Sequence, residues 1–110
     1  MTQPGLDAFQ AIGDPNRRKM LKLLSRNTLT INSLADNFKM SRPAVSKHVK
    51  ILCGAGFIAI HDIGRERYCT LKKEGFEELQ AWISHFDTFW TSKLTKLEML
   101  LSNKLPNKKH

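Results

Sequence analysis

Cysteine is almost missing from this chain of 110 residues: Cys53 and Cys69 are isolated from one another, so no disulfide framework is expected and stability must come from a buried core. Long hydrophobic runs are missing too. No stretch approaches the roughly 18 apolar residues that span a bilayer, and residues 1–9 lack a basic start followed by an apolar run. The chain is therefore expected to avoid membranes and to work in the cytoplasm. Groupings of nucleophile, acid and His are lacking: His61 and His85 stand alone, and Gly54-Ala55-Gly56 has neither the lysine nor the spacing of a phosphate loop. Neither catalysis nor a cofactor is expected. Repeats and low-complexity tracts are absent.

Acidic residues are scarce, ten Asp and Glu against eighteen Lys and Arg, which gives a formal charge of +8. Such a surplus favours a polyanionic partner, because phosphates neutralised by Lys and Arg release their condensed counterions. The surplus is uneven. Residues 41–72 hold six basic and two acidic groups, whereas residues 73–110 hold six and five. A length of 110 residues with 41% hydrophobic content fits one compact domain.

Helical signals open the chain. Leu6, Phe9 and Ile12 recur at helical spacing up to Gly13. Asp14 followed by Pro15 is a start signal, since Asp caps free amides and Pro lacks the N–H that would go unpaired; a second helix is expected over residues 15 to 26. Its inner face is Met20, Leu21, Leu23 and Leu24, with Arg17, Arg18, Lys19 and Lys22 mostly outward. Thr30 caps a third helix carrying Ile31, Leu34, Ala35 and Phe38, and Ser41 caps a fourth that begins at Arg42 and stops at Gly54 and Gly56. Two short helices joined by a tight turn over residues 30 to 54 make a helix-turn-helix. Residues 57–71 then read as a two-stranded hairpin, or wing, turning at Gly64 and Arg65.

On a wheel of 100° per residue, Val45, Val49 and Leu52 share the core side of the fourth helix. Arg42, Pro43, Ser46, Lys47 and Lys50 take an opposite arc of about 140°. Arg42, Pro43 and Ser46, near the helix start, are candidates to read bases; Lys47 has a mixed role, and Lys50 suits the backbone. Arg65 and Arg67 flank Glu66 at the wing tip and are expected on one side, within reach of a minor groove; Ser33 is a further phosphate candidate. His48 falls at the edge of the core side and reads as a packing residue.

Residues 73–104 contain no proline and only Gly75, so one helix about 45 Å long is expected, closed by Pro106 and followed by a frayed basic tail. Phe76, Leu79, Ile83, Phe86, Trp90, Leu97 and Leu100 fall on heptad positions interrupted by Lys93, and Trp82, Phe89, Leu94 and Leu101 add a second stripe. One monomer can hardly cover both stripes, which points to a two-fold interface between copies of the chain.

Taken in order, Asp14-Pro15-Asn16-Arg17, Leu23-Leu24, Leu34-Ala35, Ser41 to Leu52, Gly56-Phe57-Ile58 and Gly64-Arg65-Glu66-Arg67-Tyr68 resemble the ArsR/SmtB family of winged helix-turn-helix repressors. The fold implied is mainly α (α+β): about five helices and a two-stranded wing, dimeric through the N- and C-terminal helices. The resemblance implies a homodimer that binds a near-palindromic operator on double-stranded DNA and blocks transcription. Leu6, Phe9, Phe86, Phe89, Trp90, Leu94, Leu97 and Leu101 would form its interface. The metal-ligand signatures of many relatives are missing. The third helix has no Cys or His, and Phe89 stands where an Asp-x-His motif opened by Asp87 needs its His. No metal site is expected, and the non-metal, autorepressor-like branch is the nearest subgroup. Two alternatives stay open: a metal or thiol sensor with an unfamiliar site, using Cys53 and Cys69 as redox groups, and a protein-interaction module with incidental DNA affinity.

Overall fold

The computed structural model describes residues 6–104, without the side chains of residues 103 and 104. Pro106 and the basic tail lie outside the described residues. Helix α1, Ala8–Ala11, starts at a reciprocal cap in which Asp7 Oδ1 accepts from the Gln10 amide at 2.7 Å and Gln10 Oε1 from the Asp7 amide at 3.0 Å. Helix α2, Pro15–Leu24, is capped by Asp14, whose carboxylate accepts from the amides of Asn16 and Arg17 at 2.7 and 3.2 Å. Thr30 and Ser41 cap α3, Ile31–Ala35, and α4, Arg42–Gly54, in the same way. Strands β2, Ile58–Ile63, and β3, Glu66–Leu71, form the wing, and Gly64, with φ of +62°, supplies a left-handed turn residue between them.

The sheet has one strand more than the sequence predicts. β1, Leu29–Thr30, pairs antiparallel with β3, giving the order β1-β3-β2 with Leu29 opposite Cys69 and Ile60 opposite Cys69 on the other side. Two residues are too few to show alternation, so no strand is read there from the sequence. The α2 helix also ends earlier than expected, at Leu24, and the helical turn of α3 stops at Ala35.

The chain divides into two compact units, residues up to 79 and residues from 80 on. In the first, Met20, Leu34, Val45, Val49, Leu52, Phe57, Ile58 and Cys69 are fully buried, so α2, α3, α4 and the base of the wing share one core. Burying each large apolar side chain contributes about 1.5–3 kcal/mol, and burial on this scale fixes the register of α4. The start of helix α5, Glu74–Lys104, belongs to this unit. The Gly75 amide donates to Gly56 O at 2.8 Å, and the Phe76 ring meets Phe57 edge-on at 4.9 Å. A Cβ at Gly75 would lie 2.8 Å from Phe57 ring carbons, so only glycine fits there. The second unit is the remainder of α5, whose large apolar side chains are mostly exposed.

Candidate nucleic-acid interface

The caps and core contacts of α4 decide which of its side chains meet solvent. Val45, Val49 and Leu52 are buried, while Arg42, Pro43, Ser46, Lys47 and Lys50 are all exposed, as the wheel predicts. A depression of about 250 Å³ lies where α4 faces the wing. Its lining is Arg42 and Ser46 from α4, Arg65, Glu66 and Arg67 from the wing, and Ile31 and Asn32 from α3. Pro43, Lys47 and Lys50 stand outside this lining on the same helix.

Within the wing, Arg67 Nε donates to Asp62 Oδ1 at 3.0 Å, and both side chains are more than half exposed. An exposed pair of this kind is worth only about 0–1 kcal/mol, so Arg67 can exchange Asp62 for a phosphate at little cost. The two wing arginines do reach a common depression, but Glu66 lines it with them. Arg65 belongs to the turn rather than to β3, so strand alternation does not govern it. Ser33 is exposed and outside the lining. Its amide donates to Thr30 Oγ1 and its carbonyl accepts from Asn37 Nδ2 at 3.1 Å, while its neighbour Asn32 lines the depression with Arg42. Asn32 carries no signal in the sequence beyond its position in the first turn of α3.

One basic residue lies where sequence reasoning did not put it. Arg17, read as mostly outward, is 8% exposed. Its Nε donates to Ala11 O at 2.6 Å, one terminal nitrogen to Gln10 O at 3.3 Å, and the other lies 3.0 Å from Nδ1 of His48 on α4. A guanidinium only donates, so Nδ1 accepts and the imidazole proton sits on Nε2. Arg17 thereby ties the end of α1 and the start of α2 to the rear of α4. Its phase shows this in hindsight, since residues 17, 20, 21 and 24 form one helical stripe. Beside it, burial pushes the Asp14 carboxyl up, but the Arg17 and Asn16 amides, the Arg17 charge and His48 together hold it below its ordinary 3.8.

Cys53 is half-buried at the end of α4, and Cys69 is buried in β3; both are free thiols. Burial pushes the Cys69 thiol up, the neighbouring Cys53 adds to this and Arg67 opposes it, so the reactive thiolate is disfavoured. No three His, Cys, Asp or Glu side chains among the described residues come together as metal ligands, and no described helix is long and apolar enough to cross a membrane.

Along α5, Trp82, Ile83, Phe89, Trp90, Leu94, Leu97 and Leu100 are about half exposed, and Leu101 only slightly less so. Trp82 and Phe86 meet edge-on at 5.1 Å, as do Phe89 and Trp90 at 5.0 Å, and Lys93 Nζ sits 5.5 Å above the Phe89 ring. A shallow depression of about 360 Å³ is lined by Trp82, Ile83, Phe86, Asp87 and Trp90. At the N-terminal end, Leu6 is half-buried and Phe9 is 36% exposed.

Comparison with known proteins adds to this geometry. Residues 14–59, from the Asp14 cap to the start of the first wing strand, match the model of the bacterial regulatory protein arsR family. The transcriptional repressor SdpR of Bacillus subtilis is 35% identical over 80 residues, covering 73% of this chain and 89% of the relative. The HTH-type transcriptional regulator Rv2034 of Mycobacterium tuberculosis is 33% identical over 96 residues, covering 87% of each chain. A crystal structure of an ArsR family transcriptional regulator superposes with a TM-score of 0.72 at 40% identity, covering 77% of this chain and 88% of that one.

Proposed function

Since the chain belongs to the ArsR family of bacterial regulatory proteins, we propose that it works as a homodimeric repressor on a near-palindromic operator, without a metal effector. As a member of that family it is a DNA-binding regulator of transcription and not an enzyme. The observation that carries the proposal is the single depression in which Arg42 and Ser46 of α4 meet Arg65 and Arg67 of the wing. With α4 in the major groove, Arg42, Pro43 and Ser46 meet base edges, Lys47 serves base edge or backbone, Lys50 meets the backbone, and the wing arginines reach the adjoining minor groove or its phosphates.

The dimer follows from α5. Among the large apolar side chains exposed along this helix in one copy of the chain are Trp82, Ile83, Phe89, Trp90, Leu94, Leu97, Leu100 and Leu101. Association costs about 4–15 kcal/mol of rigid-body freedom, and burying the exposed halves of eight such side chains returns an amount in that range. A second copy is the occupant that satisfies every stripe at once, and Phe86, Leu6 and Phe9 are assigned to the same proposed interface. Residues 30–54, 57–71 and 73–104 then act as reading head, wing and dimerisation helix of one domain. The half-sites of the operator are expected about 34–36 Å apart. The metal-free reading rests on Phe89, which stands where a ligand pattern on α5 needs His. The regulator is expected to act in the cytoplasm.

Footprinting on the DNA upstream of the chain's own gene tests the proposal. A symmetric protected site that fades with rising salt supports it, and the lack of any protected site overturns it.

A further inference from the structure

The depression between α4 and the wing is lined by three arginines, and it also holds a carboxylate. Glu66 is the first residue of β3, paired with Ile63 across the Gly64-Arg65 turn, so the strand register and not a loose loop sets its place. Its carboxylate makes no hydrogen bond or ion pair with the described residues, whose exposed wing pair is Arg67 with Asp62. Arg67, its sequence neighbour, is engaged by Asp62 at 3.0 Å instead. An unpaired carboxylate on a surface that meets phosphates repels them, so it is unfavourable wherever the backbone is all that the protein touches. It becomes favourable only where DNA offers a hydrogen-bond donor. Glu66 shares its depression with Arg42 and Ser46, which the functional reading sets at major-groove base edges. Of the two donors there, adenine N6 lies beside the N7 acceptor, which repels a carboxylate, so cytosine N4 is the one that suits it.

We propose that Glu66 is a specificity-determining residue, accepting from cytosine N4 at one position of each half-site beside the bases met by Arg42 and Ser46 and penalising DNA that lacks a cytosine there. The inference rests on the reading of this depression as the DNA interface. Attraction and repulsion act together: the arginines raise affinity for any duplex, and the carboxylate takes part of that gain back unless the right base is present.

The test is a selection from a randomised duplex pool with wild type, Glu66→Ala and Glu66→Gln, alongside binding to a mixed-sequence duplex. Glu66 is exposed, so both variants should keep the wild-type melting curve. With one negative charge removed, both variants should bind the mixed-sequence duplex about 5-fold more tightly at low salt. The wild-type pool should carry a fixed cytosine in each half-site, and the Glu66→Ala pool should lose it while keeping the bases set by α4. Glu66→Gln, whose Oε1 still accepts but whose amide also donates, should broaden that position toward adenine. Identical enriched sequences in wild type and variants overturn the inference, as does unchanged or weaker binding of the variants to the mixed-sequence duplex. Failure of the wild type itself to enrich any sequence instead overturns the functional reading on which the inference stands.

Discussion

Replacing Gly75 by Ala places a methyl group where α5 begins, 2.8 Å from two carbons of the Phe57 ring and 2.9 Å from a third. Ordinary carbon contacts sit at about 3.5–4.0 Å, so the ring or the helix must give by more than half an ångström. Neither can do so freely. Phe57 is fully buried and edge-on to Phe76, its amide donates to Leu52 O at 2.9 Å and its carbonyl accepts from the Lys72 amide at 2.8 Å, while the Gly75 amide is held by Gly56 O. Overpacking of this kind costs about 1–3 kcal/mol. Alanine's helix propensity returns at most about 1 kcal/mol, and less in the first turn. The net expectation is a loss of about 1–2 kcal/mol, a fall in Tm of about 4–8 °C for each kcal/mol in a domain of this size. Thermal unfolding followed by circular dichroism measures it. Phe57→Leu should lose stability alone yet cost less in the Gly75→Ala background, because the smaller side chain relieves the clash. A Gly75→Ala protein as stable as wild type, or additive costs in the double variant, would refute the close approach of Gly75 to Phe57.

Arg42→Ala should weaken binding to the selected operator by about 1–3 kcal/mol and relax preference at one base pair, whereas Lys50→Ala should weaken all duplexes alike and reduce the salt slope by about 0.9; titrations at several salt concentrations separate the two. Asp14→Ala should cost about 1 kcal/mol near neutral pH through loss of the α2 cap. Because the folded-state pKa of Asp14 is depressed, its stabilisation is complete above 3.8 and lost as the pH falls through the lower folded value, so the melting curves of variant and wild type should converge in acid; a gap that stays constant contradicts the cap. Arg17→Met should cost about 1–3 kcal/mol by leaving Ala11 O, Gln10 O and His48 Nδ1 without their donor, read as a lower urea midpoint at unchanged slope; a stability equal to wild type would contradict the buried contact.

What sequence reading captured were the features governed by neighbouring residues. Asp14-Pro15 and Ser41-Arg42-Pro43 announce helix starts because a cap needs only the next three amides, and the structure has those bonds. The exposed arc of α4 follows from helical phase, and the hairpin from Gly64 between a β-branched run and a second extended one. Features set by distant partners were not legible. β1 exists because β3 offers an edge to Leu29 and Thr30. Arg17 is buried because α1 ends in carbonyls that a cation satisfies, so residue type misled where phase was correct. Asn32 and Glu66 line the depression with the arginines because it is formed by three elements whose meeting no single segment encodes.

The stoichiometry of the complex tests the central claim most directly: sedimentation of the protein alone and with a duplex bearing its footprint. The account expects a dimer in free solution at micromolar concentration and two protomers on each two-fold site, with Trp90→Ala combined with Leu97→Ala shifting the free protein to monomer and abolishing the footprint. A monomer at every concentration, occupying an asymmetric site as one protomer, would contradict it.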